Sequence, residues 1–156
     1  MTAIAYRAGI LAVDRQVTWD SITSTTTKYR KIDVPGIGYC VVVMSGYAYG
    51  VDVIHEHLTK SVKGLGTDIG SMSKETRYGF LITKDLTVHG IWGDGRVGPA
   101  EHYENEYFAE GGALSFLLGA MAHGASAADA VNLACAHCDG CGHGVDIINV
   151  REFLCD

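Results

Sequence analysis

Residues 1–14 read MTAIAYRAGILAVD. Two short apolar runs, TAIAYR and ILAVD, flank Ala8-Gly9, a pattern that predicts a β-hairpin around a tight turn. Such a hairpin folds the end of the second run back onto the start of the first. Asp14, the lone acid that closes the second run, is therefore expected beside Thr2. A threonine directly behind the initiator methionine is either the first ordered residue or a masked N-terminus. In the second case it becomes a different chemical object. A threonine hydroxyl is a weak nucleophile without a base, whereas a free α-amine, with an unperturbed pKa of about 8, supplies one on the same residue. Only removal of Met1 is needed, and a small residue at position two is what methionine aminopeptidases accept.

A site of that kind needs a cation to keep the amine neutral and favour the activated hydroxyl. It also needs a carboxylate to hold the cation, and backbone N–H donors for a tetrahedral oxyanion. Asp14 supplies the carboxylate, Lys28 follows a Ser/Thr run, and Gly46 is a strand-end glycine after VVVMS. Lys28 also reads as an ordinary exposed lysine beside Arg30 and Lys31.

Outward from the hairpin, residues 15–32 are rich in Ser, Thr and β-branched side chains, which suits extended chain. Pro35-Gly36 breaks the run, and GYCVVVMSG (38–46) reads as a buried strand. Val51, Ile54, His55, Leu58 and Val62 fall at helical spacing. KGLGTDIGSMS (63–73) reads as a loop, and YGFLIT with LTVHGIWG as a second hairpin about Lys84-Asp85. GDGRVGPAEHYENE (93–106) reads as turn-rich, and residues 112–123 as an Ala/Leu-rich helix. Ser126, three residues before Asp129, opens a second helix with a capping-box pattern, and VDIINV (145–150) is a closing strand. This order predicts one domain over residues 1–156, an α/β (α+β) protein with two sheets and helices outside them in a four-layer αββα arrangement.

Composition narrows the function. The chain is 47% hydrophobic and 19% charged, as soluble globular proteins are, and no apolar run is long enough for a membrane span. No signal peptide is recognisable, so the expected compartment is the cytoplasm. A net charge of −6 with scattered Lys and Arg offers no stripe for phosphates, so no nucleic-acid partner is expected. Five cysteines without a secretion signal argue against a disulfide framework.

Several segments, in order, carry a resemblance. They are Thr2-Ala3-Ile4, the Asp-x-Gln-x-Thr pattern of Asp14 to Thr18, and Lys28-Tyr29-Arg30-Lys31-Ile32. VVVMSGYAYGVD, IWGDGRVGPAEH and FAEGGALSFLLGAM follow. Together they resemble the proteasome β-type N-terminal-nucleophile hydrolases, and most of all the bacterial HslV peptidases. The resemblance implies Thr2 as nucleophile and base, Lys28 as electrostatic activator, Asp14 as its partner and the Gly46 N–H as oxyanion donor. It implies that Thr18 and Ser45 bind the substrate backbone and that Met44 lies near the pocket for the residue preceding the cleaved bond. Polypeptide substrate, a homo-oligomeric ring and an ATPase unfoldase are the implied partners. No cofactor is required, although a monovalent or divalent cation on backbone carbonyls near the C-terminal loop is within the family's habit.

The departures are specific. The Thr2–Asp14 hairpin and the Asp14–Lys28 span are each shorter than usual by an even number of residues, which preserves strand alternation and the inward face of Asp14. Glu110 stands where the family has a serine that bonds the N-terminal amine, and a carboxylate there would hold the amine protonated. The accessory aspartate–serine pair is matched only loosely by Asp139 and Cys141. A catalytically silent, Met1-retaining protein that forms rings or binds partners is thus the alternative to a threonine peptidase. An amidase acting on a small molecule is a further one.

Elsewhere, CAHCDGCGHGVD (135–146) spaces Cys135, Cys138 and Cys141 as metal ligands are spaced, while cysteines on an Ala-rich helix also serve as small buried hydrophobes. His55 and His57 fall on opposite sides of a helix, cannot share a metal, and are expected to be solvated. Gly64, Gly66 and Gly70 lack the spacing and lysine of a nucleotide-binding loop.

Overall fold

The computed structural model describes residues 1–101 and 106–155. The elements are β1 (Ile4–Arg7), β2 (Ile10–Asp14), β3 (Gln16–Trp19), β4 (Ile22–Thr25), β5 (Tyr29–Val34), β6 (Gly38–Met44) and α1 (Ala48–Leu58). There follow β7 (Arg77–Thr83), β8 (Val88–Trp92), β9 (Val97–Glu101), β10 (Tyr107–Glu110), α2 (Leu114–Ala122), α3 (Ala127–His137), β11 (Val145–Asn149) and α4 (Val150–Cys155). The chain divides into two compact units, Met1–Lys28 with Tyr103–Asn149, and Tyr29–His102 with Val150–Asp156.

The first unit is built on an antiparallel sheet in the order β10-β1-β2-β11. Ala8 (φ 50°) and Gly9 (φ 84°) turn β1 into β2, and positive φ at both central residues is what a two-residue hairpin requires. On one face Ala3, Ala5, Ala12 and Ala109 meet Leu117 and Met121 of α2 and Ala127, Ala130, Val131 and Ala134 of α3. The alanines of the sheet leave room for Leu117 and Met121 of α2, and α3 meets them with small side chains of its own. Arg7 Nη1 donates to Met121 O at 3.0 Å and Ala125 O at 2.7 Å, satisfying carbonyls at the end of α2. Ser126 caps α3 as its sequence predicts, its Oγ accepting from Asp129 N at 3.0 Å. The sheet's other face carries Ile4, Tyr6, Leu11 and Val13, and the Tyr6 ring stacks on Phe108 with centroids 4.8 Å apart. β3 and β4 form a separate two-stranded ribbon, with Trp19 and Ile22 exposed at its tip.

The second unit is an antiparallel meander in the order β5-β6-β7-β8-β9. Ile32, Cys40, Val42, Met44, Leu81 and Ile91 form its core with Ile54 and Leu58 of α1. Three readings need correction here. The chain does not finish with a strand: β11 ends at Asn149 and α4 follows, burying Val150 and Leu154 one helical turn apart. Its six residues are too few to display a period. The turn-rich reading of residues 93–106 holds only for its start, because Val97–Glu101 is strand β9. Pro99 is tolerated there because β9 is an edge strand. His102, Tyr103, Glu104 and Asn105 of that segment lie outside the described residues.

The third correction concerns α1. The helix ends at Leu58, short of Val62, and His55 is buried rather than solvated, 4% exposed beside Ile54 and Leu58. Among the described residues neither ring nitrogen has a hydrogen-bond partner. Burial, reinforced by the Arg30 guanidinium and opposed by Asp52, lowers its pKa from 6.5 to about 4. Arg30 itself pairs with Asp52 at 2.6 Å, and Glu56 lies on the same side of the helix. The unfolded chain therefore takes up the proton first. The contribution of neutral His55 is intact above about pH 6.5 and is lost as the pH falls toward 4. Replacing it by leucine should remove this loss, about 3 kcal/mol at most. Urea unfolding at pH 7.0, 5.5 and 4.5 should give His55→Leu the flatter profile; parallel profiles would contradict the assignment.

Candidate active site

The β1–β2 register pairs Ile4 with Val13, which sets Asp14 across from Ala3. Asp14 N donates to Ala3 O at 3.1 Å, and Ala3 N donates to Asp14 Oδ1 at 2.8 Å. The carboxylate is only 1% exposed, and a charge so buried must be paired. Lys28 Nζ lies 2.8 Å from Oδ1, while Oδ2 accepts from Gln16 N at 3.1 Å and Gly142 N at 3.4 Å. One ammonium and three backbone N–H groups thus hold the carboxylate.

Lys28 arrives there by way of the ribbon. Gln16 pairs with Thr25, and Thr26 N donates to Arg15 O at 2.9 Å, so the chain leaving Asp14 returns to it. From this anchorage Lys28 Nζ donates to Thr2 Oγ1 at 3.2 Å. Thr2 is fixed from the entrance to α2. Ala113 N donates to Thr2 O at 3.4 Å, and a Cβ on Gly111 (φ +96°) would stand 2.2 Å from that oxygen. Position 111 must therefore be glycine on two counts, conformation and space.

Thr2, Asp14 and Lys28, predicted from spacing and resemblance, are brought into one hydrogen-bonded row. An ammonium against the hydroxyl oxygen favours the deprotonated hydroxyl, and the carboxylate keeps the ammonium in place. The Thr2 nitrogen is here a peptide nitrogen joined to Met1. The Met1 side chain lies over glycines: a Cβ on Gly112 would be 2.1 Å from Met1 Cγ, and one on Gly140 would be 2.9 Å from Met1 Cβ.

The remaining candidates are placed as follows. Glu110 Oε1 accepts from Gly111 N at 3.1 Å. Asp139 is exposed and Cys141 buried. Thr18 is exposed on the ribbon, its Oγ1 accepting from Gln16 Nε2 at 3.3 Å. Met44, Ser45 and Gly46 belong to the second unit. There Met44 is a core residue, 2% exposed, and both Ser45 N (2.8 Å) and Ser45 Oγ (3.1 Å) donate to Tyr78 O. Gly46 is exposed with φ +114°.

Sequence reasoning missed Gly142, whose N–H reaches Asp14 from far along the chain, and Gly111. Both stand in glycine-rich stretches whose other residues carry the plainer signal, the cysteines of CDGCGHG and the acid of EGG. All five cysteines are free thiols, and no group of three or more His, Cys, Asp or Glu among the described residues is arranged to hold a metal. Burial pushes the Cys141 thiol up to about 11, with Asp14 adding to the effect.

No protein-family model matches the sequence, and no curated protein matches it significantly. Solved structures do match in shape. BPH from Thiobacillus denitrificans, in complex with epoxomicin, superposes with a TM-score of 0.63 at 14% identity, covering 94% of this chain and 96% of that one. HslV from Trypanosoma brucei gives 0.62 at 15% identity, covering 94% and 97%. Anbu, the ancestral beta-subunit, from Yersinia bercovieri gives 0.65 at 13% identity, covering 95% and 80%. The chain has the mixed α+β fold of proteasome-like N-terminal-nucleophile hydrolases, the class expected from its sequence. Among the described residues no helix is long and apolar enough to cross a membrane.

Replacing Lys28 by methionine would leave the buried Asp14 carboxylate without its counter-ion. Loss of one partner of a buried pair costs about 3 kcal/mol. Chemical denaturation should register that loss for Lys28→Met and nearly as much for Asp14→Ala. The double variant should lose clearly less than the sum; full additivity would mean the two side chains do not act as a pair.

Proposed function

We propose that the chain is a threonine-type endopeptidase whose nucleophile is Thr2 once Met1 has been removed. The observation that carries this reading is the 3.2 Å contact from Lys28 Nζ to Thr2 Oγ1, with Asp14 holding the same ammonium at 2.8 Å. In the proposed reaction the free Thr2 amine takes the hydroxyl proton, directly or through a water, and Oγ1 attacks the peptide carbonyl carbon. The oxyanion is assigned on resemblance to the N–H of Gly46, and the protonated amine then gives its proton to the departing amino group. Water, deprotonated by the same amine, hydrolyses the ester. Lys28 opposes protonation of the neighbouring amine and favours the charged oxygen, as a cation at this distance does.

Met44, Ser45 and Thr18 are assigned to the substrate on resemblance, Met44 to the pocket for the residue preceding the cleaved bond and the other two to the peptide backbone. Assembly of identical subunits into a ring, delivery of polypeptide by an ATPase unfoldase, a cytoplasmic setting and a carbonyl-bound cation near the C-terminal loop belong to the same proposal.

One observation favours the silent alternative. Met1, 55% exposed, lies against Gly112 and Gly140, and an acylated Thr2 nitrogen is no base. Intact mass before and after exposure to epoxomicin, a peptide epoxyketone, decides between them. The peptidase reading expects loss of the methionine mass and one adduct per chain, absent in Thr2→Ala and slowed at least a hundredfold in Lys28→Met, the usual scale for losing an electrostatic group at a reacting oxygen. A chain that keeps Met1 and takes no adduct is the silent protein.

A further inference from the structure

The loop that braces Asp14 contains a second chemistry. Cys138 closes α3 as its C-cap, with φ −110° and ψ 126°, and Cys141 N donates back to Cys138 O at 3.5 Å. Between them lie Asp139 and Gly140, the latter at φ +82°. A positive φ near 80° at the third residue is the mark of a type II turn, in which the first and fourth Cα atoms lie within about 7 Å. Disulfides join residues whose Cα atoms are about 4.4–6.8 Å apart, so the two thiols stand at the corners of a turn of bridgeable width. Cys135 is the competing partner for Cys138. Both belong to the end of α3, however, and side chains three apart on a helix have Cβ atoms about 5–6 Å apart, against the roughly 3.5–4.5 Å a disulfide needs. That pair closes only if the helix end unwinds.

Access differs between the two corners. Cys141 is buried against the alanine core, while Cys138 is half-exposed. The same loop touches the site directly. Gly142, next to Cys141, donates its N–H to Asp14 Oδ2 at 3.4 Å and accepts from Arg15 N at 3.2 Å.

We infer that Cys138 and Cys141 are a disulfide-forming pair whose closure by a small-molecule disulfide draws Gly142 away from Asp14 and slows Thr2. The pairing stands on the turn alone; its effect on Thr2 rests on the peptidase reading. The exchange balances as follows. The Cys138 thiolate attacks one sulfur of the reagent R–S–S–R, breaking that bond and releasing RS⁻. The Cys141 thiol then loses its proton and attacks the Cys138 sulfur, forming the protein disulfide and releasing the second RS⁻. Two thiols are oxidised and one reagent disulfide is reduced to two thiols. Burial raises the Cys141 pKa, which makes Cys138 the entry point.

The test uses the full chain with oxidised glutathione, followed by intact mass and non-reducing peptide mapping. Expected are the loss of two hydrogen masses and a 138–141 linkage that persists in Cys135→Ser and vanishes in Cys138→Ser. On Met1-free protein, oxidation should slow epoxomicin labelling about fivefold, the rate equivalent of one weakened hydrogen bond of about 1 kcal/mol. Dithiothreitol should restore the rate, and Cys138→Ser should be insensitive. A stable glutathione adduct on Cys138 without an internal link, or a link to Cys135, overturns the pairing; an adduct on the exposed Cys155 is expected either way. A 138–141 link with an unchanged labelling rate overturns the coupling. Reduced protein that never labels refutes the peptidase reading, while the linkage map still judges the disulfide.

Discussion

A buried carboxylate without a counter-charge is costly, and the first unit is arranged around avoiding that cost. Asp14 is held by backbone from three directions: its own hairpin through Ala3, the ribbon start through Gln16 and the loop before β11 through Gly142. Lys28 supplies the charge. Each group comes from a different piece of chain, so the carboxylate is a junction of the first unit. The hydroxyl of Thr2 benefits because the lysine, already committed to Asp14, has little freedom left to spend in reaching it.

The glycines around Thr2 obey a related constraint. Gly111 leaves room for the Thr2 carbonyl, and Gly112 and Gly140 leave room for Met1. The first two lead into α2, which sets Leu117 and Met121 against the small alanines of the sheet. Close packing and a crowded N-terminus are thus one arrangement, in which small residues replace volume with proximity.

Much of this was legible in the sequence, for local reasons. Ala8-Gly9 between two apolar runs fixes a hairpin, and the hairpin fixes Asp14 opposite Ala3. Ser126 and Asp129 announce a helix start from within one turn. What escaped depends on contacts distant in sequence or on elements too short to show a period. Gly142 reaches Asp14 across most of the chain, α4 has six residues, and β9 carries Gly98 and Pro99, which spell a turn unless the strand is known to be an edge. His55 occupied a place in the apolar stripe of α1, yet its residue type argued for solvent; the stripe prevailed. Met44, Ser45 and Gly46 were named through resemblance, and their roles rest there.

The β3–β4 ribbon has its own consequence. Its base is fixed by Arg15, Thr26 and the two charged residues it delivers, whereas its tip at Trp19, Asp20 and Ile22 is free of the sheet. Cross-strand pairs added or removed at the tip leave the parity at the base intact. The ribbon is therefore a length-adjustable spacer: lineages can lengthen it, shorten it or give its aromatic end new surroundings while the charges at its root keep their separation.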